Sequence, residues 1–478
     1  MGFSGKPSKG CAPCRAKRTK CDLALPFCTQ CIRKGRECSG YRNEQDLLFR
    51  NETIHVVRRA KQKSEEARES SVPMENAAVR SLQLQRPSRG VTVDDEALAH
   101  FFAHYNEKFF SVDGHHHKGG LDYVLPVYQQ DLVSGGPVPE IIKAIGLAAL
   151  GNLKGMPELL TAARAKQVTV LRQLNEQLQN RDTALSDSST MTCVLLGTFE
   201  IVSCDSIQSS QAITSHLNGA ALLADLRGAN QFQSDIGCGI YARIRGFILA
   251  HCLQRSDPLP PFVLNYLEND EMAQRDFDPV FYKLLARLCQ LRSDHKTKGY
   301  IDDTMAQDAQ VLMIELEAWQ PSVPDWTLDE KPMPQSSTST NSNEFSHFIW
   351  LTTIWLFQRT ARILASNIVI EWSRSQSPLS SFSILNNAER DQKILGEELM
   401  EAISYYLDRF RGVQTGTRTV GGSSLLWPLY VLSTAATTGP ETMAWIAQAS
   451  ERVAGEFGVR QGKLMADIVK MYAGSEYQ

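Results

Sequence analysis

The chain has 478 residues, 42% of them hydrophobic, which is too long for a thiol-stapled mini-protein and long enough for at least two domains with sizeable cores. Its formal net charge of −3 conceals an asymmetry: residues 1 to 45 carry ten Lys/Arg against Asp22, Glu37 and Glu44. A small basic head on an acidic body points to a polyanionic partner for the head alone.

The opening residues, MGFSGKPSKGC, contain no apolar signal-peptide region, so the thiols are expected to meet a reducing compartment. No membrane span is expected either. The most apolar run, Phe348 to Phe357, has about half the required length and is followed by Arg359 and Arg362.

After a basic arm (residues 1–10, with Lys6 and Lys9), six of the eleven cysteines form an internal repeat. Cys11, Cys14 and Cys21 are spaced x2 and x6, and after six residues Cys28, Cys31 and Cys38 repeat the pattern. A closed zinc tetrahedron needs four ligands, so each half is one thiolate short. Six sulfurs fill two tetrahedra if two of them bridge both metals. A disulfide scaffold does not suit a reducing compartment, and ordinary fingers fail because no histidine precedes His55. Thiolate-saturated zinc has no open coordination position, so the metal is read as structural, with folding of the segment dependent on it.

The segment from Cys11 to Cys38 resembles the fungal Zn2Cys6 binuclear-cluster DNA-binding domain of transcription factors. The match extends to the basic run between the second and third cysteines, to Asp22 directly after the third, and to Pro26 in the loop joining the halves. The resemblance implies two Zn2+ ions with Cys11 and Cys28 as bridging ligands, and double-stranded DNA, typically a CGG triplet, as partner. It places Lys17 and Arg18 at the base-contacting positions. Arginine stands at the second of these where lysine is often found. The run Arg15, Lys17, Arg18 and Lys20 is expected on a short helix launched from Cys14, which suits insertion into a major groove. Arg15, Lys20, Arg33, Lys34 and Arg36 are assigned to phosphate contact, together with Lys6 and Lys9.

Residues 39–92 read as a flexible linker with a short helix-prone stretch near 44 to 68. Many family members form a homodimer here through a coiled coil. From Leu47, however, the heptad positions read Arg50, Ile54, Val57 and Lys61, which is no apolar seam. Val56 to Lys63 and Arg15 to Lys20 are basic patches of the nuclear-localisation type.

From residue 93 the periodicity becomes helical and continues to 478. In DDEALAHFFAHYNEKFF, one face carries Leu98, Phe101, Phe102, Tyr105 and Phe109. A helix opened by Pro157 is expected to align Leu171, Leu174 and Leu178. Further helices are read in TMTCVLLGTFEIVS, HLNGAALLADLRG, GIYARIRGFILAHCLQR, PVFYKLLARLCQLR and MAQDAQVLMIELEAW. The last third adds FIWLTTIWLFQRTARILA, KILGEELMEAISYYLDRF, LWPLYVLSTAAT and PETMAWIAQASERVAGEFG. Prolines 126, 137, 139, 258, 260, 261, 321, 324, 378 and 440 are read as breaks between them. Gln335 to Glu344 reads as a polar insertion. The fold class is therefore mainly α: a small Zn2Cys6 domain at 11–38, a linker, and a large all-α-helical body at 93–478. Stretches such as LDYVLPVY, AIGLAALGNL and LWPLYVLSTAA resemble the fungal-specific transcription factor regulatory domain.

Outside the cluster little suggests chemistry. His115 to His117 are adjacent in a Gly-flanked loop without acidic or thiol partners, and Cys193, Cys204, Cys238, Cys252 and Cys289 read as small core residues. Glu315 to Glu330 mixes acids with Trp319 and Trp326 in the style of an activation segment, although an exposed inter-helix loop explains it as well. No HExxH, GxSxG or Walker sequence is present, so no enzyme is expected. The expectation is a nuclear, zinc-dependent regulator of RNA polymerase II transcription acting with the transcription machinery. Family members of this layout often control a secondary-metabolite gene cluster or a catabolic pathway, and the former is favoured on resemblance. An RNA-binding zinc protein is disfavoured because only Phe27 and Tyr41 could stack bases near the basic run. A helical sensor or enzyme with the cluster as accessory would show itself by a large apolar pocket with converging polar groups.

Overall fold

The computed structural model describes residues 11–17, 19–24, 28–36, 38, 91–105, 111–112, 115–116, 123–267, 279–319, 342–409 and 418–475. The chain divides into two compact units, Met1–Arg89 and Gly90–Gln478. Within the first, the described elements are two short helices, α1 (Ala12–Ala16) and α2 (Thr29–Arg33). The coiled-coil region and the basic patch at 56–63 lie outside the described residues.

In the second unit, helix α3 (Val93–His104) starts at a capping box. The Thr92 hydroxyl accepts from the Asp95 N–H, and the Asp95 carboxylate accepts from Thr92 N. Phe101 and Tyr105 are buried, with Leu98 and Phe102 packed beside them, while Phe109 lies outside the described residues. Among the described residues, one β ladder pairs β1 (Ser111–Val112) with β2 (His115–His116), so the first two histidines of the His run sit on backbone strand.

Then follow α4 (Val124–Ser134), α5 (Val138–Lys154), α6 (Pro157–Gln177), α7 (Arg181–Ala184), α8 (Asp187–Ser203), α9 (Ile207–Arg227) and a 3-10 turn (Gly228–Gln233). The chain continues through α10 (Asp235–Arg255), α11 (Pro261–Leu267), α12 (Pro279–Lys298) and α13 (Asp303–Ala318). It ends with α14 (Ser342–Ser375), α15 (Pro378–Arg409), α16 (Arg418–Ser433), α17 (Pro440–Phe457) and α18 (Gln461–Ser475). Helices α5 and α8 are the centre. Twelve of 17 residues in α5 and fourteen of 17 in α8 are buried, as expected of helices packed on all sides. The run Gly146 to Gly151 lies inside α5, as its alanines predict.

Several expectations shift in detail. Pro126 and Pro139 lie in the first turns of α4 and α5 rather than between helices, a position where a missing N–H costs nothing. Pro428 sits inside α16. The buried side of α6 is Leu159, Ala163, Gln167, Val170 and Leu174; Leu171 is half-buried and Leu178, at the C-cap, is exposed. Polar Gln167 is buried because it donates to Glu200 of α8, which also takes an ion pair from Arg164 at 3.2 Å. Trp319 does not lie in an exposed loop. It is buried as the C-cap of α13 and stacks on Phe281 at 4.4 Å, while residues from 320 to 341 lie outside the described set. The expected polar insertion ends inside α14, which begins at Ser342. Helix α10 has the length and apolarity of a membrane span, but just over half of that stretch is buried within the protein.

The five body cysteines are all buried, and burial pushes Cys193 up to about 12 and Cys252 to about 11. They are packing thiols, not thiolate nucleophiles.

Gly146 is fixed by a close helix crossing: a Cβ there would fall 2.0 Å from the Ala97 carbonyl oxygen of α3. Gly219, within α9, faces open space. Gly146→Ala should therefore cost about 2–3 kcal/mol through overpacking, whereas Gly219→Ala should gain up to about 1 kcal/mol of helix propensity. Denaturant unfolding of the two variants decides it, and a Gly146→Ala chain as stable as wild type would remove the crossing as the explanation.

Candidate metal centre and nucleic-acid interface

Each half of the cysteine repeat folds the same way. Cys11 precedes α1, with Pro13 in the first turn. Cys28 is the N-cap of α2, its Sγ accepting from the Cys31 N–H at 3.3 Å. The chain then closes behind each helix by a matching backbone bond, Thr19 N to Cys14 O at 2.9 Å and Arg36 N to Cys31 O at 3.0 Å. These positions are related by the 17-residue offset of the repeat. In the second half the closure passes through Gly35 at φ 59°, where a Cβ would be strained.

The folding brings all six sulfurs together. Cys11, Cys14, Cys28, Cys31 and Cys38 are buried and Cys21 is half-buried. Their Sγ atoms form two sets of four, Cys11/Cys14/Cys21/Cys28 and Cys11/Cys28/Cys31/Cys38, each with its members within 4.8 Å of one another. Cys11 and Cys28 are the two sulfurs common to both. The nearest approaches are 3.5 Å for Cys11–Cys28, 3.7 Å for Cys11–Cys31 and Cys14–Cys28, and 3.8 Å for Cys11–Cys21. A tetrahedron with Zn–S of about 2.3 Å has edges of about 3.8 Å, whereas a disulfide requires about 2.05 Å. The donor set fits two edge-sharing zinc tetrahedra. The shared pair, Cys11 and Cys28, stands 3.5 Å apart.

Electrostatics explain why metal and fold are coupled. Burial pushes the Cys11 thiol up to about 12 and Cys28 higher still, while a backbone hydrogen bond from Cys11 draws Cys21 down to about 7. Packed thiols resist ionisation until a dication supplies the compensating charge.

Asp22 holds a role that spacing alone did not reveal. The Thr29 N–H at the start of α2 donates to both carboxylate oxygens at 3.2 Å, and the Thr29 hydroxyl donates as well. The Thr29 hydroxyl first, with the backbone bonds behind it, holds the Asp22 carboxyl below its ordinary range. Asp22 thus anchors the second half from the first, with its charge at a helix N-terminus. Asp22→Asn should weaken zinc retention at pH 7 on the order of tenfold, read by competition with a chromophoric chelator. Unchanged retention would make the contact incidental.

Lys17, Lys20, Arg33 and Lys34 are exposed and Arg36 is half-buried; none of the five has a carboxylate partner among the described residues. The basic run does not share one helix launched from Cys14: α1 spans Ala12–Ala16 and the chain closes behind it through Thr19 N to Cys14 O, so Lys17 directly follows the helix and Lys20 lies on irregular backbone. For Arg15 only the backbone, in α1, is described, and Lys6, Lys9, Arg18 and Pro26 lie outside the described residues. The exposed cations Lys17, Lys20, Arg33 and Lys34, without carboxylate partners among the described residues, leave a positive surface suited to anionic oxygens.

Residues 9–47 match the fungal Zn(2)-Cys(6) binuclear cluster domain. The chain carries a Zn2Cys6 binuclear cluster domain. A curated relative, the transcriptional regulatory protein moc3 of Schizosaccharomyces pombe, is 49% identical over 43 residues, covering 8% of this chain and 8% of that protein. No solved structure matches the chain. The Zn2Cys6 resemblance read from the cysteine spacing is thereby supported for the N-terminal unit, and the remainder of moc3 contributes nothing to the comparison.

Proposed function

We propose that the protein is a zinc-dependent, sequence-specific DNA-binding transcription factor that acts in the nucleus on genes read by RNA polymerase II. The observation that carries this reading is the pair of four-sulfur sets sharing Cys11 and Cys28 within a module whose exposed cations Lys17, Lys20, Arg33 and Lys34 have no carboxylate partner among the described residues. In this reading the six cysteines are the metal ligands. Bound zinc supplies the cross-link between halves that a module of this size cannot obtain from an apolar core. Lys17 and Arg18 read base edges of CGG-containing duplex sites, and Lys6, Lys9, Arg15, Lys20, Arg33, Lys34 and Arg36 bind phosphate. The helical body sets activity toward the transcription machinery. A narrower reading, control of a secondary-metabolite gene cluster, rests on family resemblance alone, with a catabolic pathway as the alternative.

The test is selection of binding sites from randomised duplex DNA by the full zinc-loaded chain, repeated with chelator. Enrichment of CGG-containing sites with zinc alone supports the proposal, and one versus two half-sites distinguishes monomer from homodimer. No enrichment from duplex DNA by a chain holding two zincs would overturn it.

A further inference from the structure

Half of the chain's ten histidines lie between residues 100 and 117. His115 and His116 enter the β ladder, whereas His100 and His104 stand one turn apart on α3. Residues four apart share a helix face, and here the two imidazoles lie together, ring centroids 4.0 Å apart and planes tilted by 35°. Paired histidines at this spacing are the means by which a helix chelates a metal ion. Two rings at a right angle about one ion, with metal–nitrogen bonds of about 2.0–2.1 Å, hold their centres about 4.5 Å apart, close to the separation seen.

The pair also carries a nitrogen that the protein leaves unused. Both side chains are half-buried, so solvent reaches one side of the pair. The Nε2 atom of His100 is nevertheless buried and has no hydrogen-bond partner among the described residues. Buried polar atoms are nearly always paired, and an orphan of this kind is a mark of a missing water or ion. The donor type selects among ions. Imidazole nitrogen suits nickel, copper and zinc, whereas calcium and magnesium take oxygen. Phe101, Phe102 and Ala103 separate the two histidines, so the glutamate that follows the first histidine in hydrolytic zinc helices is absent. The site is therefore a binding site without a general base. Two charged groups flank it: Glu96, one turn before His100, and Lys154 of α5, which form an ion pair. Lys154 acts on His100 and opposes a cation there, and its pairing with Glu96 offsets part of that field.

We propose that His100 and His104 chelate one divalent transition-metal ion, nickel, copper or zinc, with water in the remaining positions, and that the ion braces α3, the first helix of the body. The site lies within the Gly90–Gln478 unit and does not depend on the DNA-binding reading.

Nickel chloride is titrated into the tag-free, zinc-loaded full chain by calorimetry, with native mass spectrometry counting the metals. One equivalent beyond the two zincs of the cluster should bind, and near saturation it should raise the unfolding midpoint of the helical body by about 3 °C. His100→Gln and His104→Gln keep polar side chains, and each should weaken nickel by about tenfold or more, since loss of even a supporting group costs that much. Lys154→Gln removes the opposing cation and frees Glu96, and should strengthen binding several-fold. Replacing His115, His116 and His117 together by alanine should leave the affinity unchanged, a readout that holds even if the α3 variants unfold. The proposal is overturned by the absence of an extra equivalent, by unchanged affinity in His100→Gln, or by no gain in Lys154→Gln. Loss of nickel with the three alanines also overturns it, and assigns the ion to the histidine run instead.

Discussion

Cys28→Ser should lose both zinc ions, whereas Cys38→Ser should lose at most one. The difference follows from membership: the Cys28 sulfur belongs to both four-sulfur sets, and Cys38 belongs to one. Cys28 also caps α2 by accepting the Cys31 N–H, so its replacement removes a metal bridge and a helix start together. Structural zinc contributes about 10–16 kcal/mol in small modules of this kind, far more than their apolar burial provides. The cysteine module of Cys28→Ser should therefore unfold outright. The helical body has its own core around α5 and α8, and its unfolding midpoint should stay where it is in wild type. Native mass spectrometry of the full chain counts the metals, and circular dichroism during heating reports the body. Two zincs retained by Cys28→Ser would exclude the edge-sharing arrangement.

The metal centre was legible because all of its donors lie within 28 residues, where spacing alone counts thiols against coordination positions. Helices of the body were legible wherever a long apolar period met a strong start signal, as at Pro157 and Pro440. Legibility ended where burial is polar or depends on distant neighbours. The inward side of α6 includes Gln167, which no apolar count selects, because its partner Glu200 lies 33 residues away on α8. Trp319 looked like a loop residue beside its acids, and only the packing of α13 near α12 sends it against Phe281. Asp22 was visible as a position but not as a tether, since its acceptor role depends on how the two halves meet.

Lys17→Ala combined with Arg18→Ala should abolish discrimination between the selected site and random duplex while leaving two bound zincs. A side chain donating in bidentate fashion to a guanine edge is worth about 1–3 kcal/mol of discrimination, so two of them account for roughly 30-fold to 10⁴-fold. Non-specific affinity should fall far less, because Lys20, Arg33 and Lys34 remain exposed and without carboxylate partners among the described residues. Lys34→Ala is the informative contrast. It stands 17 residues after Lys17, at the equivalent position of the second half, and its side chain is equally exposed. A phosphate contact there predicts weaker binding to every sequence alike and a salt slope shallower by about 0.9. If Lys34→Ala instead relaxed the sequence preference and the Lys17/Arg18 pair did not, base reading would belong to the second half of the cluster. The pseudo-symmetry of the fold makes that exchange geometrically available: the same closing bond shapes both halves, and they differ in the residues each carries.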